Sequence, residues 1–201
     1  MTLYCATGNK GKLREFQLAA QIENIHVAIV PELDTITAPE ETGATFEENA
    51  GLKACYYSMF TSGAVFCDDS GLEVNALNGA PGVISARYAG EHGGDEANND
   101  LLLTNLEGAT DRTARFVCVI AIARDGRLLQ HFRGSIEGRI TTERKGANGF
   151  GYDPLFYYPP FESTFGEADA ERKHEVSHRA QAFRQLIEWW TRNTSTAADT
   201  R

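Results

Sequence analysis

The segment ARFVCVIAIARDGRLLQHFRGSIEGRI, residues 114–140, constrains the fold more than any other. Two long runs of β-forming residues flank Asp125-Gly126. That pair suits the positive-φ positions of a tight hairpin turn, so the segment reads as two antiparallel strands. Its longest apolar stretch, residues 116–123, is far too short to cross a bilayer.

In a second run, AVFCDDSGLEV at 64–74, AVFCDD reads as a buried strand that ends in Asp68-Asp69. Neighbouring carboxylates repel each other and resist desolvation. In an extended strand they point to opposite faces. One therefore serves a site, and the other is hydrogen-bonded structurally or supports the first from behind. The pattern does not say which.

The remaining segments read in turn. TLYCA is a short strand, TGNKGK a turn, and LREFQLAAQI a helix with Leu13, Phe16 and Ala20 at helical spacing. HVAIV at 26–30 is a strand, and PELDTITAPEETGA an acidic loop. TFEENAGLKACYYSMF reads as a helix whose Thr45 and Glu48 have capping-box spacing. NALNGAPGV and the region around GEHGGDEANND read as loops, and NDLLLTNL as a helix. ERKGANGFGYDPLFYYPP is a Gly- and aromatic-rich loop too long for a simple connector. SHRAQAFRQLIEWW is a closing helix with Phe183, Leu186, Ile187 and Trp190 on one stripe. The reading is one domain over 1–191, followed by a disordered tail over 192–201.

Charge and cysteine usage exclude some functions. The formal net charge of −9 argues against a nucleic-acid polymer as partner, which needs a basic face. Any anion site must then be built locally. The four cysteines, Cys5, Cys55, Cys67 and Cys118, form no C-x-x-C pair and read as free thiols in a reducing cytosol. No signal peptide or membrane span is visible, so the expected location is cytoplasmic.

Five constellations could carry chemistry. TGNKGK, residues 7–12, places a Gly-containing loop at the positive end of a helix, with Lys10 and Lys12 as cations and Asn9 as a donor. It lacks the Walker A spacing, and an ordinary turn with two solvated lysines satisfies the same pattern. The acidic set Glu40, Glu41, Glu47, Glu48, Asp68 and Asp69, near phosphate ligands, points to Mg²⁺. Glu47 and Glu48 have a sufficient role in a first helical turn, and Glu40-Glu41 reads equally as a solvated loop. Lys53 shares a helix face with Asn49 at i, i+4 and could neutralise the aspartates, although a surface lysine fits as well. GFGYDP, residues 149–154, offers a close backbone approach at Gly149 and Gly151 and stacking surfaces at Phe150 and Tyr152, or else a turn packing its aromatics inward. In ERKHEVSHR, Ser177 is a plausible N-cap, which puts His178 and Arg179 in a first turn where cations are disfavoured without an anion. Zinc at His174 and His178 lacks further ligands. A serine-hydrolase triad lacks its nucleophile elbow.

Together these segments resemble one family. ATGNKGKLREF, EETGATFEENAGLKA, DDSGLEV, GAPGVISARYAG, GFGYDPLF and SHRAQAF occur in the order and approximate spacing of the inosine/xanthosine triphosphate pyrophosphatases (HAM1-like, RdgB-like), from about Leu3 to Trp190. The resemblance implies an α/β fold: a long curved mixed β-sheet flanked by helices, with two lobes and the active cleft between them. It implies Mg²⁺-dependent hydrolysis of ITP, dITP and XTP to the monophosphate and pyrophosphate, usually by a homodimer. It implies catalytic roles for Asp69, the proton acceptor, and Lys53, and metal binding by Glu41 and Asp69, with Glu40 the adjacent alternative. Substrate binding is implied for Thr7, Gly8, Asn9, Lys10, Gly11, Lys12, Ser70, Phe150, Gly151, Tyr152, Asp153, Lys173, His178 and Arg179. Gly51 and Ala180 depart from the family pattern without touching a matched polar role. The rival readings are a Maf-like pyrophosphatase acting on pyrimidine or modified nucleotides, and a non-catalytic nucleotide-binding module. Retention of Asp69, Lys53 and Glu41 together argues against the module.

Overall fold

The computed structural model describes residues 2–90 and 94–195. Among these, seven strands form one sheet: β1 (Leu3–Cys5), β2 (Val27–Ile29), β3 (Ala64–Val74), β4 (Thr113–Arg124), β5 (Arg127–Ile140), β6 (Phe156–Tyr158) and β7 (Ser163–Thr164). Their order is β2-β1-β3-β4-β5-β6-β7. β1 pairs in parallel with both β2 and β3, whereas β6 runs antiparallel to β5 and β7. The sheet is therefore mixed, as expected of an α/β fold. The α-helices are α1 (Lys10–Ile22), α2 (Phe46–Tyr57), α3 (Gly94–Asn105), α4 (Ala170–Val176) and α5 (His178–Ser195).

Local chemistry explains the element ends. The β4–β5 turn takes Asp125 at φ 51° and Gly126 at φ 73°, the left-handed pair a two-residue hairpin requires. Thr45 and Glu48 form the full capping box of α2, each side chain bonding the other's backbone. α1 starts at Lys10, earlier than the apolar pattern indicates. Asn9 is its N-cap, accepting from the Gly11 and Lys12 amides at 2.8 and 3.0 Å, so half of TGNKGK is helix. α3 likewise starts at Gly94, inside the expected loop, with Asp95 and Glu96 favourably placed in its first turn. Residues 91–93 of that loop lie outside the described residues. The expected loop over 143–160 holds β6, and α4, capped by Asp169, precedes α5.

The chain divides into two compact units. The first comprises residues up to Asp69, 118–134 and from Arg179 onward. Its core gathers Phe16, Phe66, Ile120, Ile122, Phe183 and Leu186. The predicted α5 stripe is buried there in full. The second comprises residues 70–117 and 135–178, with a core around Leu72, Leu102, Phe116, Tyr152, Phe156 and Phe165. α5 continues to Ser195, so residues 192–195 are helical where a tail was expected. The rest of that tail, residues 196–201, lies outside the described residues. All four cysteines are free. No helix among the described residues is long and apolar enough to cross a membrane.

Candidate active site

The aspartate pair organises the first unit. Both side chains are buried, and β3 sends them to different partners, as strand alternation requires. Asp68 Oδ2 lies 2.9 Å from Lys12 Nζ in the first turn of α1 and 3.7 Å from Arg179 Nε on α5. The Cys118 thiol faces the same oxygen at 4.0 Å. Burial alone would push the Asp68 carboxyl up, but Lys12, Arg179 and Lys53 outweigh it and hold it well below the usual carboxylate range.

Asp69 turns to α2. Its Oδ1 accepts from Lys53 Nζ at 3.0 Å, and its Oδ2 accepts from Asn49 Nδ2 at 3.4 Å. The i, i+4 spacing of Asn49 and Lys53 thus brings both to one carboxylate. Burial raises the Asp69 pKa, and Lys53 offsets this only in part, with Glu41 adding repulsion. Lys53 behaves oppositely. Burial would discharge it, but Asp69, Asp68 and Glu41 hold it protonated.

Glu41, not Glu40, joins this cluster. Lys53 Nζ donates to Glu41 Oε1 at 2.7 Å, while Glu40 is exposed. Asn49 carries the Glu41 loop as well. Its amide accepts from the Gly43 N–H at 2.8 Å and donates to the Gly43 carbonyl at 3.2 Å. Asn49 is fully buried, and its shared face with Lys53 is the sequence signal for this placement.

Glu41 and Asp69 are two hard carboxylates gathered about one cation, the Lys53 ammonium. Among the described residues, no group of three or more His, Cys, Asp or Glu side chains could hold a metal ion. Mg²⁺ needs only one or two carboxylates beside water and phosphate oxygens, so this donor set fits it.

The disfavoured cation at the start of α5 is compensated internally. Arg179 pairs with Glu15 of α1 and approaches Asp68, and its side chain is only 4% exposed. Glu15 and Asp68 thus supply the negative charge that offsets this cation. Of the lysines expected around phosphate, Lys12 and Lys53 carry carboxylates and Lys10 is exposed.

The second unit holds the other set. Asp153 Oδ2 accepts from Lys173 Nζ at 2.6 Å and from the Phe150 amide at 2.9 Å. The Lys173 ammonium lies 5.0 Å from the Phe150 ring centroid. Phe150 is half-buried, but Tyr152 is a core residue whose hydroxyl donates to the Ser85 carbonyl at 2.8 Å. Its ring is therefore an anchor and not a stacking surface. His178 stacks on Phe116, with centroids 4.9 Å apart and planes 12° from parallel. Ser70, next after Asp69 in β3, begins this unit.

A mixed sheet with a carboxylate–lysine cluster midway along a buried strand, which continues past Asp69 to Val74, defines an α/β protein built to handle anionic ligands. The model of the Ham1 family matches residues 3–189, and the chain belongs to that family. It is 50% identical over 183 residues to the dITP/XTP pyrophosphatase of Listeria innocua, covering 90% of each chain. It superposes on the solved Staphylococcus aureus Ham1 protein with a TM-score of 0.85 and 42% identity, covering 96% of this chain and 100% of that one. For the Coxiella burnetii HAM1 protein the values are 0.84 and 41%, over 96% and 99%.

Proposed function

We propose that the chain hydrolyses ITP, dITP and XTP to the monophosphate and pyrophosphate. The observation that carries this reading is the Glu41–Lys53–Asp69 cluster, in a chain so similar to proteins named dITP/XTP pyrophosphatase. Asp69, whose carboxyl burial holds above its ordinary value, accepts the proton of the attacking water. Lys53, kept charged, stabilises negative charge developing on the phosphate oxygens. The positive end of α1, with Thr7, Gly8, Asn9, Lys10 and Gly11, receives the triphosphate. Glu41 and Asp69 would hold Mg²⁺, which when bound draws charge from the phosphate oxygens. Phe150 to Asp153, Lys173 and His178 recognise the nucleoside, and Ser70 contacts the substrate. Lys12 and Arg179 belong to the same substrate-binding set and also pair with Asp68.

Discrimination follows from hydrogen bonding to the 6-keto oxygen of the base. A 6-amino group would leave that donor unpaired in a closed pocket. ITP and XTP are therefore expected to exceed ATP by about 100-fold in kcat/KM. Pyrophosphate release from ITP, XTP, dUTP and ATP, with and without Mg²⁺, tests this. Equal turnover of ATP rejects it, preferred turnover of dUTP favours the Maf-like reading, and orthophosphate as product moves the attack to the γ-phosphorus.

Phe150→Ala separates stacking from packing. Loss of a stacked base should cost ~1–3 kcal/mol, seen as a raised KM with the melting temperature kept. An early melt with proportional loss of activity assigns Phe150 to the core instead.

We further propose a cytoplasmic homodimer. Met59, Phe60 and Leu128 are exposed apolar side chains, and Met59 lies beside the β4–β5 turn. Sedimentation at micromolar concentration decides this, and a monomer rejects it.

A further inference from the structure

The loop 149–153 is held from two directions within the second unit. One is its own: Asp153 caps the Phe150 amide and receives Lys173. The other comes from α3. The Gly151 amide donates to Asp95 Oδ2 at 2.6 Å, and the Gly151 carbonyl accepts from Asn99 Nδ2 at 2.9 Å. Two side chains one helical turn apart therefore grip one residue by both of its backbone polar groups. Gly151 sits at φ +61°, and a Cβ there would meet nothing within 4 Å. The glycine thus answers a backbone conformation and not a steric limit.

Asn99 shows what the grip is for. Its side chain is buried, with the residue only 1% exposed. Its Nδ2 serves two carbonyls, Asp95 O at 2.8 Å and Gly151 O at 2.9 Å, which fixes the orientation of the amide. Its Oδ1 is buried with no hydrogen-bond partner among the described residues. A buried, unsatisfied carbonyl opposes folding. An apolar residue of similar size would avoid that penalty, so the Asn is not best explained by packing. What it supplies is the donor to Gly151.

We infer that Asp95 and Asn99 are positioning residues that fix the Gly151 peptide and, through it, the setting of Phe150 for the purine base. This rests on the functional reading above. Both belong to the second unit and the proposed phosphate ligands to the first, so their assigned role is base recognition alone.

The test uses the whole chain and two probes, IMP and inorganic tripolyphosphate, which has no base. Wild-type turnover of ITP is measured first and tests the functional reading by itself. Asn99→Leu should then weaken IMP about tenfold, the scale of one lost hydrogen bond, and leave tripolyphosphate affinity within about twofold. It should raise KM for ITP, narrow the ITP-to-ATP ratio, and melt no earlier than wild type. Asp95→Ala should behave the same way, and Asp95→Asn, which keeps an acceptor oxygen, should restore IMP affinity. Unchanged IMP affinity in Asn99→Leu overturns the inference. So does a parallel loss for both probes with an early melt, or Asp95→Asn as impaired as Asp95→Ala.

Discussion

Asp69→Asn is expected to lower kcat for ITP by about 10²–10⁴-fold, the range for a lost general base, while ITP still binds. The amide keeps the shape and can still accept from Lys53, whose ammonium lies 3.0 Å from Oδ1. It cannot take a proton from water, and it removes one of two carboxylates gathered at Lys53. Binding survives because Lys53 and the N-terminus of α1 remain, and Lys53 is freed of one counter-charge. Calorimetry with ITP, beside pyrophosphate release at saturating Mg²⁺, reads the two effects separately. Near-normal turnover in Asp69→Asn would remove this residue from the mechanism. Loss of binding in parallel with turnover would make it a binding residue.

The parts of this site that were legible in sequence are those set by local rules. The capping box at Thr45 and Glu48, the Asp125-Gly126 turn and the alternation of Asp68 and Asp69 are each decided within a few residues. The i, i+4 relation of Asn49 and Lys53 was visible too, but not its target. What escaped depends on tertiary placement. The partners of Arg179 are not visible locally, because Glu15 lies 164 positions away. For Tyr152 the choice between stacking surface and inward packing stays open in the sequence because its hydroxyl partner, Ser85, is 67 positions distant. The early start of α1 escaped for another reason. Gly11 weakens helix propensity, and only the two amides capped by Asn9 make that turn stable. The resemblance to the family carried the role assignments, and it named residues without their partners. Glu15, Asp95 and Asn99 enter only through contacts.

Asp68→Asn should act on stability where Asp69→Asn acts on turnover. The Asp68 side chain is 1% exposed, with Lys12 at 2.9 Å and Arg179 at 3.7 Å. An amide there leaves two cations facing a neutral group in the interior of the first unit. Removing one partner of a buried ion pair costs about 3–5 kcal/mol. For a chain of this length that lowers Tm by roughly 10 °C. The pH dependence gives a second readout, with its sign fixed by the depressed carboxyl of Asp68. A carboxyl whose folded pKa lies below its unfolded value stabilises fully above the unfolded value of about 3.9, and that contribution is lost as pH falls toward the folded value. The stability gap between wild type and Asp68→Asn should thus be constant from neutral pH down to about 4 and narrow below it. Urea titrations across that range measure the gap. Where the variant is folded, its kcat should stay within about tenfold of wild type, since the side chain points away from the Asp69 face. A variant as stable as wild type at pH 7 would mean that Lys12 and Arg179 do not depend on Asp68. A stable but inactive variant, beside an active Asp69→Asn, would reverse the roles of the two faces of β3.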